Sequence, residues 1–264
     1  MTHYTTRDGA EIYYELQGSG HLPIIFVHGW CSNVGHWRNQ VRHFIRRHRT
    51  LCVDSRGHGR SSVPRDLREL NPGAHAADIA AVARKEGING AIVVGHAGGG
   101  PRTLELARSY PELVRAVVMV DAGVYPKPRI GNPNDPFGAR IGQMIDALSA
   151  ADAPVRFREL YETFFGPHAD RALVSRAVGD AARTPLPVAI AELRRTIGVS
   201  TQAIARQVEQ PVLFVSAAAV DQGYVRSVVR DVQFGQVVGS GHFVQLEVPA
   251  QLNAMIDTFV AELG

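Results

Sequence analysis

Short, nearly continuous apolar runs alternate with helix-spaced apolar positions along the first half of this 264-residue chain. Pro23 to Val27, Thr50 to Val53, Ala91 to Val94 and Ala116 to Val120 have the length and composition of strands buried on both faces. Between them, 36–48 places Trp37, Val41, Phe44 and Ile45 on one side of a helix, and the alanine-rich 73–87 closes at Gly87. Residues 3–17 read as a β-hairpin, with Asp8-Gly9 as the turn between Tyr4-Thr5-Thr6 and Ile12-Tyr13-Tyr14. Strand–helix–strand alternation with short connections predicts an α/β fold whose mainly parallel sheet is covered by helices on both faces. Ligands of such sheets bind at the carboxyl ends of the strands. His28, Asp54, Ala97 and Asp121 each follow a predicted strand.

The pattern changes after 122. Strand signals vanish, prolines recur (Pro126, Pro128, Pro133, Pro136, Pro154, Pro167, Pro185 and Pro187), and helical spacing runs over 137–150, 155–165, 169–182 and 187–199. This predicts a helical lid, 123–207, inserted into a core formed by 1–122 and 208–264. Strands resume at 211–217 and 233–238. The last helix, 249–263, has Pro249 in its first turn and a stripe of Leu252, Met255, Ile256, Phe259, Val260 and Leu263.

The most informative stretch is Val93-Val94-Gly95-His96-Ala97-Gly98-Gly99-Gly100, an apolar strand running into a glycine-dense turn ahead of a helix near Pro101. Four further features stand around it: His28-Gly29-Trp30, Asp54 with Gly57, Gly59 and Ser61, the strand-end carboxylates, and Gly239-Ser240-Gly241-His242-Phe243. Taken together and in this order, they resemble the α/β-hydrolase family, whose nucleophile elbow reads Gly-x-Ser-x-Gly. The resemblance implies a helix-flanked, mainly parallel sheet with an inserted helical lid. It departs in one place: the serine position carries Ala97.

Acyl transfer needs a nucleophile, a base, an acid that orients the base, and donors for the oxyanion. By resemblance, position 97 is the nucleophile site and His242 the base. Asp121, which ends its strand directly, is the favoured acid. Asp221, after the strand at 211–217, is the alternative. The backbone N–H groups of Trp30 and Gly98 are the oxyanion donors. His28, His96, Tyr125, Tyr161, Phe164 and Phe165 are expected to touch substrate, and Asp54 to bond loop amides near Gly57 and Gly59. His36, His43, His48 and His168 read as surface residues. The leading expectation is a hydrolase of an apolar or aromatic carboxylic ester or lactone whose serine has been replaced by alanine. Two alternatives stay open: a cofactor-independent His–Asp enzyme, of the quinolone-dioxygenase or lyase kind, and a non-catalytic ligand receptor.

Composition adds mostly exclusions. The net charge is only +3, and the arginine cluster of Arg42, Arg46, Arg47 and Arg49 reads as a solvated helix face, so no nucleic-acid partner is expected. No run of 18 apolar residues predicts a membrane span, and the N-terminus lacks a secretory pattern, so a cytoplasmic protein is expected. The two cysteines, Cys31 and Cys52, are too few for a disulfide framework and read as small packed residues. With no metal-ligand spacing, phosphate loop or dinucleotide fingerprint, no cofactor is expected. The expected partner is a small apolar or aromatic molecule; the oligomeric state is not encoded in any pattern here.

Overall fold

The apolar runs become strands and the helix-spaced stretches become their covers. The computed structural model describes residues 2–7, 9–132 and 134–264. Strands β1 (Thr2–Arg7) and β2 (Ala10–Gln17) form the predicted antiparallel hairpin; Asp8 of its turn lies outside the described residues, as does Pro133. The other strands are β3 (Ile24–Val27), β4 (Thr50–Val53), β5 (Ala91–His96), β6 (Val114–Val120), β7 (Val212–Ser216) and β8 (Val232–Gln236). They build one eight-stranded sheet in the order β1-β2-β4-β3-β5-β6-β7-β8, antiparallel at β1–β2–β4 and parallel from β4 onward.

Strand periodicity divides the core in two. Ile25, Val27, Val93, Val117 and Met119 face one side, where α2 (Pro72–Lys85) and α3 (Gly99–Ser109) pack. Ile24, Phe26, Val94, Val118 and Val120 face the other, against α1 (Arg38–Phe44) and the terminal helix. Between β6 and β7 stand α4 (Pro136–Leu148), α5 (Ala153–Glu162), α6 (Arg171–Ala181), α7 (Leu186–Thr196) and α8 (Thr201–Ala205). A third apolar cluster joins these helices to Cys31, Phe243 and Leu246, which lie outside this stretch. The remaining helices are α9 (Gln222–Val228), α10 (Val244–Glu247) and α11 (Pro249–Glu262), the last burying Leu252, Ile256 and Phe259 of its predicted stripe. No described helix is long and apolar enough to cross a membrane.

Departures from the sequence pattern have local causes. The expected helix over 36–48 is shorter, because Asn33 caps a 3₁₀ turn, Val34–Trp37, before α1 begins. His36 therefore faces inward: it is buried against the edge of Phe243, not on the surface. Helices α8, α9 and α10 span too few turns to display an apolar period. Asp54 does bond a loop amide beside Gly59, that of Arg60, and it also takes the amide of Val34, bridging two loops. In the arginine cluster, Arg47 reaches Asp257 at 2.7 Å and Arg49 reaches Glu86 at 3.3 Å.

The sheet turns into α3 only because small residues let backbones meet. A Cβ on Gly99 would lie 2.4 Å from the Val27 carbonyl oxygen and 2.8 Å from that of His28. Gly99→Ala is expected to lower stability by about 1–3 kcal/mol, as overpacking does. Gly179→Ala, on α6 with open space around it, is expected to be neutral or stabilising by up to about 1 kcal/mol. Urea unfolding midpoints check both, and equal effects would contradict the steric account.

Candidate active site

Ala97 sits at the turn between β5 and α3 with φ +48°. Its N–H donates to Val120 O at 3.0 Å, which ties the turn to the end of β6. Gly95 has no room for a side chain: a Cβ would meet Thr103 Cγ2 at 2.6 Å and Gly99 O at 2.7 Å. Left-handed backbone is costly for residues with a Cβ and gathers at functional sites. Among the described residues, the only non-glycine cases are Cys31 (φ +52°), Ala97 and Asp121 (φ +43°). Ala97 and Asp121 directly follow β5 and β6, and Cys31 lies in the loop after β3.

Asp121 and His242 are brought together from positions 121 residues apart. Asp121 Oδ2 accepts from His242 Nδ1 at 2.5 Å, and Oδ1 accepts the Ala217 N–H at 2.9 Å. Burial pushes the Asp121 carboxyl up, but the hydrogen bond and charge of His242, with the Ala217 amide, hold it below the ordinary carboxylate range. His242 is fixed through its own backbone: its N–H donates to Phe164 O at 2.7 Å, and its carbonyl accepts from His96 Nε2 at 2.9 Å. His96 is buried, and burial followed by the nearby His242 pushes its pKa down to about 3, so the ring is a neutral donor. Asp221 does something else. It is exposed, and its Oδ1 caps α9 by accepting the Tyr224 N–H at 2.9 Å.

The backbones of Trp30 and Gly98 approach each other across the turn: a Cβ on Gly98 would come 3.3 Å from Trp30 N. Neither amide donates to a protein acceptor among the described residues. The Trp30 indole N–H donates to Ala189 O on α7 at 3.0 Å, and its ring packs on Phe157 and Tyr161.

These groups open onto a cavity of about 930 Å³, lined by Trp30, Ala97, Gly98, Asp121 and His242 together with residues of the inserted helices. His96, Tyr125, Tyr161, Phe164, Phe165 and Asp221 also reach its wall. Phe164 stands edge-on to His242, Phe165 stacks on Phe243, and Tyr125 stacks on Phe137. His28 does not line the cavity, contrary to the expectation of substrate contact. It is buried behind the turn, where Nδ1 donates to Gly29 O and Nε2 accepts the Ser55 N–H. The Cys31 thiol is likewise enclosed, and burial pushes its pKa well up.

Residues 23–249 match the family model described as "alpha/beta hydrolase fold". The chain belongs to the α/β-hydrolase family. Among curated relatives, a non-heme chloroperoxidase of Streptomyces lividans is 32% identical over 183 residues, spanning 67% of this chain and 64% of that protein. A bifunctional esterase/perhydrolase of Acinetobacter calcoaceticus is 35% identical over 125 residues, 46% of this chain and 45% of that protein. The alignments thus span less than two thirds of either relative. In fold, the chain is similar to a bromoperoxidase of Bacillus anthracis (TM-score 0.87, 17% identity, 99% of this chain and 100% of that one). It is also similar to an enol-lactonase of Burkholderia xenovorans (TM-score 0.81, 17% identity, 98% and 99%).

Behind the turn, this α/β-hydrolase carries a buried ionic cluster that no sequence motif announces. Arg102 on α3 donates through Nη1 to His28 O at 3.1 Å and Ser55 Oγ at 2.7 Å, and through Nη2 to Glu192 Oε1 of α7 at 2.6 Å. His75 Nε2 lies 3.1 Å from Glu192 Oε1, and His58 Nε2 lies 3.3 Å from Oε2. Burial alone pushes the Glu192 carboxyl up. Arg102 and His58 outweigh it and hold the group well below the carboxylate range. His58, His75, Arg102 and Glu192 come from four separate segments, the loop after β4, α2, α3 and α7, so only the folded chain reveals the cluster. Among the described residues, no group of three or more His, Cys, Asp or Glu is arranged to hold a metal ion.

Glu192→Ala strands the Arg102 guanidinium in the interior and is expected to cost about 3–5 kcal/mol, measured by urea unfolding; a loss under about 1 kcal/mol would contradict a folded-state ion pair. Acid is expected to weaken the fold. Burial lowers His36 to about 4 and His75 and His96 to about 3, from 6.5. The unfolded chain therefore takes up protons that the folded chain refuses. The contribution of these histidines is constant above about pH 7 and declines as pH falls below 6.5, approaching about 1.4 kcal/mol per pH unit for each histidine. Glu192 adds its own loss at lower pH, as the carboxylate is finally protonated. Equal unfolding midpoints at pH 7.5 and pH 5 would contradict this.

Proposed function

We propose that this is an acyl-transfer site for apolar or aromatic carboxylic esters or lactones, with the nucleophilic serine replaced by Ala97. The observation that carries the reading is the arrangement of Ala97, the His242–Asp121 pair and two unengaged backbone amides around one cavity. In this reading 123–207 forms the cap over a core of 1–122 and 208–264. A hydroxyl at position 97 would attack the carbonyl carbon while His242 Nε2 takes its proton. Asp121, holding Nδ1, fixes the ring and stabilises its cationic form. The amides of Trp30 and Gly98 then donate to the oxyanion, and the positive end of α3 adds to them. Water repeats the attack on the acyl group and restores the site. With alanine present, binding remains and the covalent step is absent.

A second reading rests on one observation: the base and the amide donors are intact beside a residue that has no oxygen. Those parts suffice to take a proton from a substrate hydroxyl and stabilise the resulting anion. In a cofactor-independent dioxygenase of quinolone rings, such an anion would react with oxygen. Oxygen uptake by the chain as it stands, with a hydroxyquinolone and no added cofactor, would select this reading.

For the first reading, Ala97→Ser is expected to confer hydrolysis of p-nitrophenyl esters and labelling by a fluorophosphonate; a folded but inert Ala97→Ser protein would overturn it. Within that background, His242→Ala is expected to lower kcat by at least about 10³-fold. Asp121→Asn should approach the same loss, whereas Asp221→Asn should stay within about twofold of its parent. Near-full activity of Asp121→Asn would move the acid elsewhere.

A further inference from the structure

Three arginines line the cavity: Arg102, Arg140 and Arg195. Arg102 is paired with Glu192 at 2.6 Å. No hydrogen bond or ion pair engages the guanidinium of Arg140 or Arg195 among the described residues. Arg140, on α4, is exposed and differs from Arg195 in its place beside the base. Its Cζ lies 5.5 Å from the centroid of the Phe164 ring, and that ring stands edge-on to His242 at 5.6 Å. One aromatic ring therefore separates an unpaired cation from the base.

Of the acids in the cavity wall, none is paired with Arg140. Asp121 and Arg140 both act on the Tyr125 hydroxyl, so they share one region of the cavity. Both Asp121 oxygens are engaged, by His242 and by the Ala217 amide. Asp221 caps α9. Phe137, Ile141 and Met144 of α4 line the cavity with Arg140. A guanidinium resting on an aromatic face is held in place by the ring and leaves its planar edge of N–H donors free. That edge matches a carboxylate, which can accept two parallel hydrogen bonds.

We propose that Arg140 is a specificity residue that binds a carboxylate on the substrate. This rests on the acyl-transfer reading and narrows it to esters or lactones whose apolar body ends in a carboxylate.

The test uses the chain as it stands, so that ligand is bound without an acyl-enzyme step. The probes are the monophenyl esters of succinate, glutarate and adipate, each compared with its methyl phenyl diester by titration calorimetry. At least one monoacid is expected to bind about 10-fold more tightly than its diester, with the advantage shrinking as salt rises. Arg140→Ala is expected to remove that advantage, Arg140→Lys to retain part of it, and Arg195→Ala to retain it. Melting temperatures confirm that the variants are folded. Equal binding of acid and diester, or a preference that survives Arg140→Ala or is lost in Arg195→Ala, overturns the proposal. Its failure is separable from that of the parent reading. If Ala97→Ser hydrolyses neutral esters with no preference for the acids, the carboxylate site falls. If the acids bind through Arg140 but Ala97→Ser is inert, the acyl-transfer reading falls and the anion site stands.

Discussion

Close backbone approach at the ends of β3, β5 and β6 is the constraint on which everything else depends. Gly99 must sit against the carbonyls of Val27 and His28, and Gly95 against Thr103 and Gly99. Only then can α3 start immediately after β5 with its first amides facing the cavity. Ala97 and Asp121 each leave their strands in the left-handed region, at a cost of order 1–2 kcal/mol per residue. The sheet supports that cost: the N–H of each still bonds to the neighbouring strand, Ala97 to Val120 O and Asp121 to Val215 O. The strain is thus held by the most buried part of the molecule and displayed at its edge.

The helices between β6 and β7 are fastened to this edge rather than merely laid over it. Glu192 reaches Arg102 on α3, Trp30 reaches Ala189 on α7, and Tyr161 shares a hydrogen bond with Ser32. Glu247 of α10 accepts from Gly166 and from Gly241, so one carboxylate binds the end of α5's connection and the loop that carries His242. Movement of the inserted helices would therefore be felt in the backbone positions of Trp30 and His242. The cavity's geometry and the seating of the insertion are one mechanical problem.

Much of this was legible in the chain, for physical reasons. Buried parallel strands need continuous apolar runs, and close backbone contacts need glycine, so the sheet and the turn at Ala97 are written in residue types. The contact of Asp121 with His242 was foreshadowed by Asp121's place at the very end of β6. What stayed hidden were properties of three-dimensional neighbourhoods. His36 and His28 changed from surface or substrate-facing residues to buried ones because a 3₁₀ turn and a loop bond, not periodicity, set their direction. Glu192 on α7 has no local signature; a lone glutamate among Ala191 and Leu193 is unremarkable until Arg102 is seen beside it.

The two amides at Trp30 and Gly98 belong to the main chain, and this has a genetic consequence. No codon change at a neighbouring side chain deletes a peptide N–H, so the polar half of the site is sheltered from point mutation. The His242–Asp121 pair is carried by side chains, and position 97 by one more; alanine and serine codons of the GCN and TCN sets differ by a single base. On the acyl-transfer reading proposed above, a lineage carrying this scaffold would cross between a binding protein and a covalent catalyst in one step, in either direction, without rebuilding the pocket that both would use.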